Sequence, residues 1–242
     1  MQFEQRGSRI LLEENGRYSE VSPLPGWNRE SLDDALAQLK AIQNGYKGPL
    51  YPSVAFGLYG LTAPHISCVP YALFLSGTPD EVLQAAVALH GTHVAKLKVG
   101  HWDLPTTLSV IRSIPLKLRL DFNLRWTPNN VFELCSHLSP DQIEFLEDPG
   151  CTVPGFAHAS DSTNVWKPTV RGLPSQGASI ILSSAMESSI GLHNIAALTL
   201  SHHIPPHILG IGTLTHTPDD LVQNPATYKD GHIHFPTEWK IC

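Results

Sequence analysis

Four short apolar runs that each end on a charged residue constrain this chain more than any other feature. Val94–Gly100 carries Lys96 and Lys98, Leu118–Asn123 carries Asp121, Phe145–Pro149 carries Glu147, and Val165–Thr169 carries Lys167. A short apolar run bounded by turn signals reads as a buried strand. A charge at the C-terminal end of such a strand belongs at the mouth of a barrel, where chemistry is done.

The surrounding pattern supports that architecture. From about residue 66, strand-like and helical segments alternate: Val69–Leu75 then Pro79–Leu89, Val94–Val99 then Leu104–Ser113, Leu116–Asp121 then Pro128–Leu138. Strands are expected at Gln142–Leu146, Val165–Lys167 and Ser179–Leu182, followed by a helix at Ser188–His202 and a strand at Ile208–Leu209. Repeated β-α alternation implies parallel strands, and this many units implies a barrel more than an open sheet. No Gly-x-Gly-x-x-Gly follows the first of these strands, which weakens a dinucleotide-binding fold.

The opening of the chain is different. Residues 8–22 read as a hairpin turning at Asn15-Gly16. Leu32, Ala35, Leu36, Leu39 and Ile42 then follow helical spacing, with Ser31 as the cap. The apolar segment Val54–Leu61 closes this α+β piece. The expected fold is α/β: a modified (β/α) TIM-type barrel, incomplete around its fourth to sixth units, with a small α+β capping domain. Residues 1–65 form the cap, 66–214 the barrel, and 215–242 an irregular segment returning toward the cap. The shortening is inferred from the stretch between Glu147 and Lys167, which is too brief for two crossovers and a further strand, since each crossover needs a dozen or more residues.

Bulk properties exclude several classes of function. A net charge of −6 argues against a nucleic-acid surface, which needs a basic patch. No apolar run approaches the ~20 residues of a membrane span, and Met1–Gly7 has no apolar core of a secretory signal. The four cysteines are scattered without a Cys-x-x-Cys, which fits a reduced, cytoplasmic compartment. The thirteen histidines show no metal-ligand spacing and read as ordinary surface or core residues. Nothing in the sequence decides the oligomeric state.

The charged strand ends suggest metal-assisted carbon-acid chemistry. Lys96 and Lys98 are two residues apart and share a strand face. Burying an ammonium is costly, and a neighbouring cation pushes a lysine toward its neutral form. A lysine base needs its pKa brought from about 10.4 to about 7–8. Asp121 and Glu147 close two later strands, where carboxylates can hold Mg²⁺ with water and substrate completing its shell. Asn123 is expected to face the same way as Asp121, and Lys167 ends its strand before Pro168. Taken singly, Asp121 reads as a helix-capping residue, Glu147 as a surface loop residue and Lys167 as a solvated lysine, whereas the apolar flanks Val94, Ala95, Leu97 and Val99 argue against a solvated edge strand for Lys96 and Lys98.

Together, and in order, the strings resemble the o-succinylbenzoate synthase family of the enolase superfamily. They are Val21–Gly26 (VSPLPG), Pro52–Gly57 (PSVAFG), Ala95–Gly100 (AKLKVG), Leu118–Asp121 (LRLD) with Asn123 and Trp126–Pro128, Phe145–Pro149 (FLEDP), Lys167–Thr169 (KPT), and Ser183-Ser184 with Glu187–Ser189 (ESS). The resemblance implies a Mg²⁺-dependent hydro-lyase that converts 2-succinyl-6-hydroxy-2,4-cyclohexadiene-1-carboxylate to o-succinylbenzoate for menaquinone. It makes Lys98 the base, Lys96 its partner, and Lys167 the lysine on the opposite face. Asp121 and Glu147 become metal ligands, and Ser183, Asn123 and Gly210 substrate-contacting positions.

The third metal carboxylate is left open. Local similarity favours Asp161, yet Asp161 and Lys167 are six steps apart, at most about 22 Å of extended chain. They cannot both cap ordinary successive parallel strands. Asp148 is a weak substitute, because Glu147 takes the inward direction. The family pattern also implies that the first cap strand is missing here. Rival readings are a catalytically impaired relative acting as a binding protein, an N-acylamino acid racemase or dipeptide epimerase, and a Schiff-base aldolase.

Overall fold

The computed structural model describes residues 1–87, 91–149, 180–201, 208–217 and 219–242. They fall into two compact units. One comprises Met1–Val69, the described residues of 180–227, and Ile233–Cys242; the other comprises the described residues of 70–149 and Tyr228–His232.

The first unit begins with an antiparallel sheet of β1 (Gln2–Arg6), β2 (Arg9–Glu14) and β3 (Arg17–Val21). The β2–β3 hairpin turns at Asn15 (φ 54) and Gly16 (φ 75), the left-handed pair that a two-residue turn requires. Strand β1 is absent from the sequence reading, because Gln2–Arg6 holds one apolar residue and no β-branched one. Helix α1 (Leu32–Gln43) starts on a reciprocal Ser31–Asp34 capping box. The segment Val54–Leu61 lies mainly in helix α2 (Pro52–Gly60), entered through a proline. A Cβ on Gly57 would sit 2.3 Å from Val21 Cγ2, so α2 rests on β3 with its backbone. Ile10, Leu12, Val21, Ala35, Leu39, Val54 and Leu61 form the core of this part.

The second unit contains β4 (Cys68–Leu75) from Pro70 onward, α3 (Pro79–Val87), β5 (Val94–Lys98), α4 (Leu104–Ser113), β6 (Lys117–Asp121), α5 (Pro128–Ser136) and β7 (Ile143–Glu147). Strands β4 to β7 are parallel neighbours in chain order. This is the β-α repetition expected from the sequence. Asp103 and Thr127 cap α4 and α5, each followed by a proline in the first turn. Leu97, Leu118 and Leu120 from the strands pack with Val82, Ile111 and Leu134 from the helices. One strand face is therefore committed to helices, and the opposite face is left for the charges.

Helix α6 (Ser189–Ser201) and strand β8 (Leu209–Gly212) belong to the first unit. The expected strand Ser179–Leu182 is reduced, among its described residues, to a single parallel bridge beyond it, Ser183 to Gly210. The expected strand Val165–Lys167 lies outside the described residues. The C-terminal segment, read as irregular, contains a hairpin of β9 (Thr227–Lys229) and β10 (His232–His234). Its turn is Asp230 (φ 50) and Gly231 (φ 73). Asp-Gly is a hairpin signal, but strands of three residues are too short to show alternation. Among the described residues no helix is long and apolar enough to cross a membrane.

The N-terminus of α6 gathers carboxylates, Glu20 buried and Asp220 half-buried. Ser188 donates its backbone N–H, at 3.2 Å, and its hydroxyl to Glu20. Ser189 donates to Asp220 from its backbone at 3.1 Å and its hydroxyl at 2.5 Å. Acidic groups at this end complement the helix dipole. Glu187, just before the helix, is pushed up to about 7 by burial and then by the charge of Glu20, with Arg9 opposing.

Glu187 therefore keeps its proton in the folded chain over a range where the unfolded chain has lost it. This contribution to stability is complete below about pH 4.5 and is lost as pH rises through about 7. Glu187→Gln should flatten the fall in stability between pH 5 and 8 by about 2–3 kcal/mol, read from urea unfolding across that range. An unchanged pH slope in the variant contradicts this.

Candidate active site

The register of three parallel strands builds the site. Lys98 pairs with Asp121, and Asp121 with Glu147, across the C-terminal ends of β5, β6 and β7. Two residues earlier, on the same face, Lys96 pairs with Arg119 and Arg119 with Phe145. A two-residue period thus makes two stacked rows, and four of the sequence-predicted residues stand in them.

The rows are joined by charge. Lys96 Nζ donates to Glu147 Oε1 at 2.7 Å and lies 3.1 Å from Asp121 Oδ2. Lys98 Nζ donates to the same Asp121 oxygen at 2.5 Å and to Asn123 Oδ1 at 3.2 Å. Asp121 is 1% exposed. Burial alone would raise its carboxyl, but Lys96 and Lys98 hold it below the usual carboxylate range. Burial likewise works to lower Lys96, and Glu147 and Asp121 more than reverse it, leaving its ammonium above the ordinary lysine value. The sequence argument had each lysine driving the other toward neutrality. In the structure Glu147 and Asp121, at 2.7 and 3.1 Å, set the direction for Lys96.

Asn123 reaches the site by a route other than strand periodicity. Asn123 (φ 48), Leu124 (φ 58) and Asp148 (φ 46) are all left-handed. Asn and Asp tolerate this region, whereas Leu pays a strain cost of about 1–3 kcal/mol that persists only where surroundings enforce it. The Leu124 N–H donates to the Asp148 carbonyl at 3.0 Å, and the Asn123 N–H donates to Asp121 Oδ1 at 3.0 Å. The first of these bonds ties the β6 and β7 exits together, and the second fixes the β6 exit on itself.

The left-handed turn also changes the position of Asp148. Carboxylate oxygens of Asp121, Glu147 and Asp148 lie within 4.8 Å of one another. Octahedral Mg²⁺ with ligands at 2.0–2.1 Å places its oxygens about 3–4.2 Å apart. Three hard carboxylate oxygens at this spacing need only a small contraction to hold such an ion, so the donor set fits a divalent cation.

Arg119 stands between Lys96 and Phe145 in the lower row, a position the sequence did not single out. It is 1% exposed and held by Glu144 at 2.8 and 3.2 Å, with its guanidinium 5.1 Å from the centre of the Phe145 ring. A register shift between Leu118 and Arg119 leaves Glu144 as the extra residue on β7. That irregularity lets an otherwise outward residue meet Arg119. The available signal was the position of Arg119 two residues before Asp121.

Ser183 and Gly210 come together in the first unit. They form the parallel bridge, and a Cβ on Gly210 would sit 2.2 Å from Ser183 Oγ. Lys167 and Asp161 lie outside the described residues.

No protein-family model matches the chain. The o-succinylbenzoate synthase of Klebsiella pneumoniae (strain 342) is 33% identical over 276 residues, covering 90% of this chain and 85% of that protein. That aligned span exceeds the 242 residues of this chain, so the relative carries segments that this chain lacks. Among solved structures, the o-succinylbenzoate synthase of Thermosynechococcus elongatus BP-1, complexed with Mg in its active site, superposes with a TM-score of 0.57 at 20% identity, over 87% of this chain and 89% of that one. An enolase family member from Agrobacterium tumefaciens with homology to dipeptide epimerases gives a TM-score of 0.70 at 14% identity, over 96% and 90%. The fold is thus the α/β fold of the enolase superfamily, shortened relative to the aligned synthase.

Removing one member of a buried ion cluster strands the others. Asp121→Asn should lower stability by about 3 kcal/mol in urea unfolding with EDTA present. A loss below about 0.5 kcal/mol, the range of ordinary surface substitutions, contradicts the buried cluster.

Proposed function

The chain belongs to the o-succinylbenzoate synthase family, and on that premise we propose that it is a Mg²⁺-dependent hydro-lyase. Its substrate is 2-succinyl-6-hydroxy-2,4-cyclohexadiene-1-carboxylate, its product o-succinylbenzoate, and its place menaquinone biosynthesis. The observation that carries the reading is the aligned row Lys98, Asp121 and Glu147 at three adjacent strand ends, with Lys96 bonded to both carboxylates.

Each residue then has a task. Lys98, as the free amine, takes the proton α to the substrate carboxylate, and the C–H electron pair moves onto the carboxylate as an enediolate. That pair returns to the ring as the neighbouring C–O bond breaks. The Lys98 ammonium gives its proton to the departing hydroxyl, so water leaves and the ring becomes aromatic. One group thus acts first as base and then as acid. Asp121 and Glu147 are assigned to hold Mg²⁺, which supplies Lewis-acid stabilisation of the developing carboxylate charge when bound.

Lys98 shares Asp121 Oδ2 with Lys96 in the structure. Committing that oxygen to a cation would release Lys98 from its carboxylate partner, leaving Asn123 to orient it. By family resemblance Lys96 is assigned to the substrate carboxylate and Lys167 to the opposite face of the enediolate; the resemblance alone would add Asp161 as the third metal carboxylate, a position taken up below. Ser183 and Gly210 are assigned to substrate contact on the same ground. A cytoplasmic location belongs to this reading, and Cys68, Cys135 and Cys242 are free thiols.

A coupled assay for o-succinylbenzoate, with and without EDTA, tests the proposal. Turnover should require a divalent ion, and Lys98→Ala should lose about 10²–10⁴-fold in kcat or more. Metal-independent turnover, or an unimpaired Lys98→Ala enzyme, contradicts it. Product binding without turnover would mark a non-catalytic relative.

A further inference from the structure

We propose that Asp148 supplies the third carboxylate of the divalent-cation site, beside Asp121 and Glu147. The inference rests on the metal-dependent reading above and deepens it. In a regular strand Asp148 would point away from the face that Glu147 occupies. Its left-handed backbone, φ 46, ends that alternation at the first residue past β7. The turn is pinned by the Leu124 N–H on the Asp148 carbonyl at 3.0 Å. A carboxylate oxygen of Asp148 is thereby brought within 4.8 Å of oxygens from both Asp121 and Glu147.

The three carboxylates are not equally engaged. Asp121 is committed to Lys96, Lys98 and the Asn123 N–H, and Glu147 to Lys96. Among the described residues the Asp148 carboxylate has no hydrogen-bond or ion-pair partner. It therefore offers oxygen ligands without first breaking an ion pair. The usual reason for seeking the third ligand on a following strand is weakened here. Asp161 and Lys167 are only six steps apart, too close to cap two ordinary successive parallel strands. A carboxylate on the residue after Glu147 does not depend on that spacing.

The test is a Mn²⁺ titration of the full chain, read by water-proton relaxation and without substrate, since Mn²⁺ takes the same oxygen donors as Mg²⁺. Asp148→Asn preserves a residue that tolerates the left-handed backbone, and Asp148→Gly relieves that backbone altogether. Both variants should therefore keep the wild-type circular dichroism spectrum. Both are expected to weaken Mn²⁺ binding by about tenfold or more, as Glu147→Gln should. Wild-type affinity in both Asp148 variants, with loss in Glu147→Gln, overturns the role of Asp148 and leaves the metal-dependent reading standing. Loss in Asp161→Asn but not in the Asp148 variants returns the third position to Asp161. Failure of the wild-type chain to bind Mn²⁺, or an unaffected Glu147→Gln, removes the metal site itself and this inference with it.

Discussion

One buried carboxylate oxygen organises the catalytic end of the sheet. Asp121 Oδ2 meets Lys98 at 2.5 Å and Lys96 at 3.1 Å, and the residue has almost no contact with solvent. Two ammonium groups on one strand face would repel each other and pay for lost hydration. Asp121 from the adjacent strand offsets both costs, and Glu147 from the next shares Lys96. The arrangement exists because three parallel strands are in register, and register is set by the leucines that fill the opposite face. Core packing and active-site electrostatics are consequences of one alternation.

That alternation explains what could be read from sequence. Lys96, Lys98, Asp121 and Glu147 sit at two-residue spacing or at strand ends, so a periodicity argument puts them on one wall. The β-α repetition from Val69 to Leu146 was legible for the same reason. Helices α4 and α5 also carry their start signals openly, Asp103 with Pro105 and Thr127 with Pro128.

What escaped the sequence breaks the period. Glu144 reaches Arg119 through a register irregularity, and Asp148 changes direction through a left-handed residue. Neither event has a marker that alternation can show. The strands Gln2–Arg6 and Thr227–Lys229 are short and polar, and their partners define them more than their own composition. The depression expected for Lys96 is not what the structure gives, for a different reason. Like charges on one strand were considered before the carboxylates of the next strands had positions, and those carboxylates raise Lys96 instead.

Locating the ion is the most direct measurement of the central claim. Crystals of the chain soaked in Mn²⁺ should give an anomalous difference peak at about 2.2 Å from carboxylate oxygens of both Asp121 and Glu147, within reach of the wall that carries Lys98. A peak elsewhere, or none at these strand ends in a well-ordered crystal, would contradict the account.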